Sequence, residues 1–254
     1  MVDELDRKKR DFALGVAKKI AEKLAKEVAV EPTKQARKLT NIHLRVAFEA
    51  VDEVMIANPP FASWPANIPP IEVSAHGRTE WLSEELLADT KYSGRVSVGP
   101  CRGQPVDLQV RQNGHVVVSV ESELGGAQER NRDHQKLTGH SEVPLASVIM
   151  VREMSGKHIP GVLRGLQKDS AARPEPYINV VEHWRKNTTL DTSTPFITVT
   201  QGGNEIANSQ TNFEEAKGAD EGQADDFEGD DEIEDDEVDD AAADDVEDDE
   251  PVED

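Results

Sequence analysis

The chain of 254 residues contains one cysteine, Cys101. A single thiol cannot build an intramolecular disulfide framework, which fits a reducing compartment such as the cytoplasm. No run of about 18 apolar residues occurs, so no membrane-spanning helix is expected. The N-terminal stretch "MVDELDRKKRDFALGVAKKIAEKLAKEV" is charged throughout and lacks the apolar centre of a secretory signal. Net charge is missing where a fold is expected: residues 1–213 carry 27 acidic and 27 basic side chains. Such a body has no global basic signature for nucleic acid, although local basic patches stay open. The glycines of "GPCRGQP" lack the Lys-Ser/Thr of a phosphate loop. His134 and His140 flank Lys136 without the further ligands a zinc site needs, and no local motif supports Cys101 as a nucleophile.

What is present is unevenly distributed. Residues 214–254 hold 24 Asp and Glu against one Lys, so the formal net charge of −23 lies entirely in this tail. From 203 the apolar periodicity fades, and from 219 the chain is a low-complexity Asp/Glu/Ala tract. Such a segment cannot bury enough surface to offset its ordering entropy, so disorder is expected. A flexible polyanion keeps a protein soluble, competes with DNA for a basic groove, or recruits a basic protein partner.

Residues 3–29 and 34–57 show apolar side chains at helical spacing, and Pro59-Pro60 stops the second helix. The pair would pack against a core or against a second copy of the chain, so a homodimer is allowed. The basic cluster "RKKR" at 7–10 lies among acids and reads first as a solvated helix end. Residues 58–77 are Pro-rich and irregular. A short amphipathic helix is expected over 79–89, strands over 95–99 and 105–123 (a hairpin), and a helix over 124–140. Strands at 145–154, 177–184 and 195–202 follow, with a helix at 159–169 between the first two. The order implies an α/β fold with a mixed sheet flanked by helices. The domain reading is a helical region at 1–57, an α/β core at 58–202 and an acidic tail at 203–254.

The hairpin "PVDLQVRQNGHVVVSVESE" carries the chemistry. A three-residue loop, Gln112-Asn113-Gly114, would set Arg111 against His115 and Asp107 against Ser119. One face would then hold Val106, Leu108, Val110, Val116, Val118 and Val120. The other would gather Asp107 and Glu121 as diagonal neighbours, with Glu123 beyond them. Three carboxylates without an opposing base repel one another. A divalent cation would stabilise their ionised forms, and hard oxygen ligands suit Mg²⁺ or Mn²⁺. The alternative is a solvated polar face. Arg130, Arg132 and Lys136 on the following helix are either a solvated face or phosphate contacts.

"PVD", strand, turn, strand and "ESE" resembles the PD-(D/E)XK motif of restriction-endonuclease-like nucleases. The family's α-β-β-β-α-β core order matches residues 79–154. The resemblance implies a metal-dependent nuclease that hydrolyses DNA, with Asp107 and Glu121 as Mg²⁺ or Mn²⁺ ligands and Glu123 at the lysine position. Val106 separates the Pro from the Asp, and Glu123 replaces the usual Lys. Three consequences stay open: Glu123 serves as ligand or general base, Lys136 takes over the lysine's role, or the site is inactive and the chain is an interaction module. Glu84 or Glu85 would complete such a site from the preceding helix.

Overall fold

The computed structural model describes residues 4–25, 36–57, 71–75, 86–92, 94–99, 106–123, 133, 135–137, 142–153, 159–183 and 195–209. Helix α1 (Glu4–Leu24) places Glu4 and Asp6 in its first turn and Lys23 in its last, charges that complement the helix dipole. Its buried Phe12, Val16, Ile20 and Leu24 recur every four residues and form one stripe. Helix α2 (Ala36–Ala57) answers with buried Leu44, Ala47, Phe48, Val51 and Met55. The two helices pack on each other, and Lys23 ties them by ion pairs to Glu49 (3.0 Å) and Glu53 (2.8 Å).

Eight strands form one mixed sheet in the order β2-β1-β3-β4-β5-β6-β7-β8. They are β1 (Ile71–Ser74), β2 (Val96–Val98), β3 (Leu108–Gln112), β4 (His115–Glu123), β5 (Ala146–Glu153), β6 (Tyr177–His183), β7 (Phe196–Gln201) and β8 (Asn204–Asn208). Helix α3 (Ile159–Ser170) joins β5 to β6. Strands β4, β5 and β6 run parallel, and β3, β7 and β8 pair antiparallel to their neighbours in the centre and on that side. Strand β1 pairs antiparallel with β3 and parallel with the edge strand β2. The α/β class and the mixed sheet agree with the sequence reading.

Each sheet face has its own apolar cluster. Leu108, Val110, Val118, Val120, Val148, Met150, Ile178, Val180, Ile197 and Val199 pack with α1 and α2. On the opposite face Ile149, Val151, Tyr177 and Val181 pack with Leu137 and with Val162 and Leu166 of α3. Strand β5 feeds both faces, which is why its sequence is a near-continuous apolar run.

Two strands lie where none is expected from sequence. β1 sits inside the Pro-rich stretch, in four residues too short to announce a period. β8 lies beyond residue 202, where the sequence reading ends the folded part, so that boundary is corrected. Gly202 (φ 58°) and Gly203 (φ 83°) make the two-residue turn between β7 and β8. The bond from Gln167 Nε2 to Gly203 O (2.7 Å) fastens that turn to α3. Residues 79–85, most of 124–140 and the tail from 210 lie outside the described residues, and with them all but the end of the helix expected at 79–89, the extent of the helix at 124–140 and the expected disorder. Residues 86–92 form turns, and Tyr92 stacks edge-on against Phe48 with ring centres 5.1 Å apart.

The hairpin register also differs from the expected one. Asn113 (φ 52°) and Gly114 (φ 82°) both take left-handed backbone, so they form a two-residue turn with Gln112 opposite His115. The expected pairing of Arg111 with His115 is therefore wrong by one residue. A bulge then intervenes: Arg111 faces Val116 but Val110 faces Val118, leaving Val117 as the extra residue of β4. The bulge restores the parity that the short turn would have inverted. Leu108, Val110, Val118 and Val120 still share a face, while Val116 lies across from Arg111.

Candidate functional site

Beyond the bulge, Gln109 pairs with Ser119 and Leu108 with Val120. Carrying that register one residue further sets Asp107 across from Glu121, closer than the diagonal relation expected from sequence. On the other side of β4, Glu121 pairs with Ile149 of β5, so its side chain belongs to the face covered by α3. Glu121 is completely buried. Its Oε2 lies 3.2 Å from Lys136 Nζ, and its Oε1 has no hydrogen-bond partner among the described residues.

Lys136 comes from a helical stretch after β4, of which Asp133 and residues 135–137 are described. Its Nζ also lies 2.5 Å from Oδ1 of Asp133, which is itself buried. Asp107 is half-buried just before β3, and its Oδ2 accepts a hydrogen bond from the backbone N–H of Ser122 at 3.0 Å. The site is thus an ammonium among three carboxyl groups. Burial pushes the Glu121 carboxyl up to about 9, and the negative charges of Asp107 and Asp133 push it the same way against the pull of Lys136. For Lys136, burial works against the ammonium, but the hydrogen bond to Asp133 and the charge of Glu121 outweigh it and raise its affinity for the proton. The surroundings thus favour the ammonium form of Lys136 and the protonated form of Glu121.

Of the residues singled out from sequence, the fold brings Asp107, Glu121 and Lys136 together. Glu123 continues the same strand face one pair further along, beside Val151, and is half-buried. Among the described residues no group of three His, Cys, Asp or Glu side chains is gathered to hold a metal ion. The register spaces Glu123 two residues from Glu121 on one face, as expected from sequence, and Lys136 lies beside Glu121. Arg130, Arg132, Glu84, Glu85, Cys101, His134 and His140 lie outside the described residues.

Two features escape the sequence reading. Asp133 is one; its spacing of three from Lys136 on a helix was the available signal. The other is a buried chain on the opposite sheet face. His43 of α2 lies with Nδ1 2.8 Å from Ser122 Oγ and Nε2 2.7 Å from Glu182 Oε2 of β6. These three residues come from distant segments, and no local pattern links them. No family model, no curated protein and no solved structure matches the chain.

Proposed function

We propose that the chain is a metal-dependent nuclease acting on DNA, with a restriction-endonuclease-like core in which Lys136 stands in for the motif lysine displaced by Glu123. The observation that carries this reading is Lys136 Nζ at 3.2 Å from Glu121, with Asp107 across the hairpin. The succession of antiparallel hairpin, helical stretch and parallel strand agrees with the core order that the motif implies.

The donor set suits a hard divalent cation. Mg²⁺ is commonly held by one or two carboxylates completed by water and substrate phosphate, so Asp107 and Glu121 suffice without a protein cage. The buried Oε1 of Glu121, which has no hydrogen-bond partner among the described residues, is the kind of oxygen such an ion would satisfy. Bound there, Mg²⁺ or Mn²⁺ would polarise the scissile phosphate and lower the pKa of an attacking water. Asp107 keeps its orientation through the Ser122 N–H. Lys136, tethered by Asp133, sets a fixed positive charge where phosphate oxygens become more negative in the transition state. Glu123, next along the strand face, would act as base or as an outer ligand through water.

A second reading keeps the fold and loses the chemistry, leaving a DNA- or protein-interaction module. It is favoured by Lys136 forming ion pairs inside the acid cluster, as a purely structural salt bridge would. Cleavage of duplex and single-stranded DNA in Mg²⁺ and Mn²⁺ separates the two. Wild type should cut and Asp107→Ala should not. Equal residual cutting by both proteins, with and without chelator, refutes the site.

A further inference from the structure

The His43 chain lies on the sheet face away from Glu121 and Lys136, yet it ends on the residue between Glu121 and Glu123. We infer that His43 is a positioning residue which, through Ser122, fixes the carboxylate of Asp107. The functional consequence rests on the nuclease reading; the structural link stands without it.

The chain has a defined direction. A carboxylate only accepts hydrogen bonds, so His43 Nε2–H donates to Glu182 Oε2 at 2.7 Å. In the neutral ring Nδ1 is then the acceptor, and the Ser122 hydroxyl donates to it at 2.8 Å. His43 and Ser122 are both buried, so neither hydroxyl nor ring exchanges this bond for water. The Ser122 side chain is thereby held to α2, while its own backbone N–H donates to Asp107 Oδ2 at 3.0 Å. One residue thus receives a constraint from one sheet face and delivers it to a carboxylate at the site. The same strand position carries a backbone pairing with Met150 of β5, so Ser122 is fixed by two side-chain groups and a neighbouring strand. Outer partners of this kind orient ligands, and their loss commonly weakens metal binding about 10- to 100-fold.

The test uses the full chain. Without metal, the Ser122 amide proton should resonate downfield because its acceptor is a carboxylate, and Asp107→Asn should move it upfield. In His43→Gln the same resonance should move upfield by at least half that amount. Mn²⁺ binding, followed by water-proton relaxation, should weaken about 10-fold or more in His43→Gln and Ser122→Ala. Ser122→Thr keeps the hydroxyl and should retain wild-type affinity. Glu182→Gln serves if His43→Gln loses the wild-type circular dichroism. An unmoved amide resonance and an unchanged Mn²⁺ affinity in a folded variant overturn the inference. A wild type that binds no Mn²⁺ overturns the nuclease reading instead, and the amide resonance then decides the link alone.

Discussion

Glu121 is the residue whose surroundings ask most of it. Its carboxyl is lifted from the ordinary 4.5 to about 9, chiefly by burial. Between those values the folded chain holds a proton that the unfolded chain has released. The stabilisation this gives is complete below about pH 4.5 and is lost as pH rises through 9. Glu121→Gln keeps the shape of the neutral acid and cannot ionise. Urea unfolding should therefore show the variant gaining on wild type from pH 5 to pH 9, and parallel pH profiles would show that Glu121 is not the source. The acids at 107, 121 and 123 are legible in sequence as one strand face, because side chains alternate. The burial of Glu121 is not, since it depends on the cover that Leu137 and α3 supply from elsewhere in the chain. Lys136 is legible as a basic residue on a helix, but its choice of Asp133 and Glu121 as partners is a matter of tertiary distance.

At the scale of elements, the hairpin teaches the most. Apolar alternation correctly places Leu108 with Val120 and Glu121 with the polar side, because burial on the α1–α2 face enforces it. It does not fix the turn, since a three-residue loop and a two-residue turn followed by a bulge give the same faces at the far end. Backbone energetics choose between them: Asn-Gly readily takes two successive left-handed conformations. Deleting Val117 would remove the bulge and make the ladder continuous, with Val110 still opposite Val118 and Leu108 still opposite Val120, so both valines keep their side. Such a variant should stay folded and lose on the order of 3 kcal/mol or less in denaturant unfolding, whereas a failure to fold would contradict the assigned register. β5 and β6 are legible because buried parallel strands are apolar on both faces. β1 and β8 are not, being four and five residues long. β8 has one buried apolar side chain, Ala207. The Gly202-Gly203 pair was its one readable signal.

For the molecule as a whole, the sheet extends past the residue where apolar patterning stops. Besides its pairing with β7, β8 is followed by two bonds between Ser209 and Ile197: the Ser209 N–H donates to Ile197 O at 2.7 Å, and the Ile197 N–H donates to Ser209 Oγ at 3.1 Å. A chain ending after Gly202 loses these and exposes β7. Its melting temperature should fall by on the order of 5 °C, whereas a chain ending after residue 213 should melt as the full chain does. Equal melting of the two truncations would place the structural boundary before β8. The same pair addresses the acidic tail: if it competes with DNA, the chain ending after residue 213 binds DNA more tightly at low salt. Among the described residues no helix is long and apolar enough to cross a membrane.

The bulge at Val117 acts as a phase corrector. The tip of the hairpin and its base are out of step by one residue, and a single position absorbs the mismatch. A tip that gained a residue would therefore need only to lose the bulge for Glu121 to keep its side of the sheet. Turn length and site geometry can thus drift independently, and a one-residue length difference at this tip is no sign that the acids have changed sides.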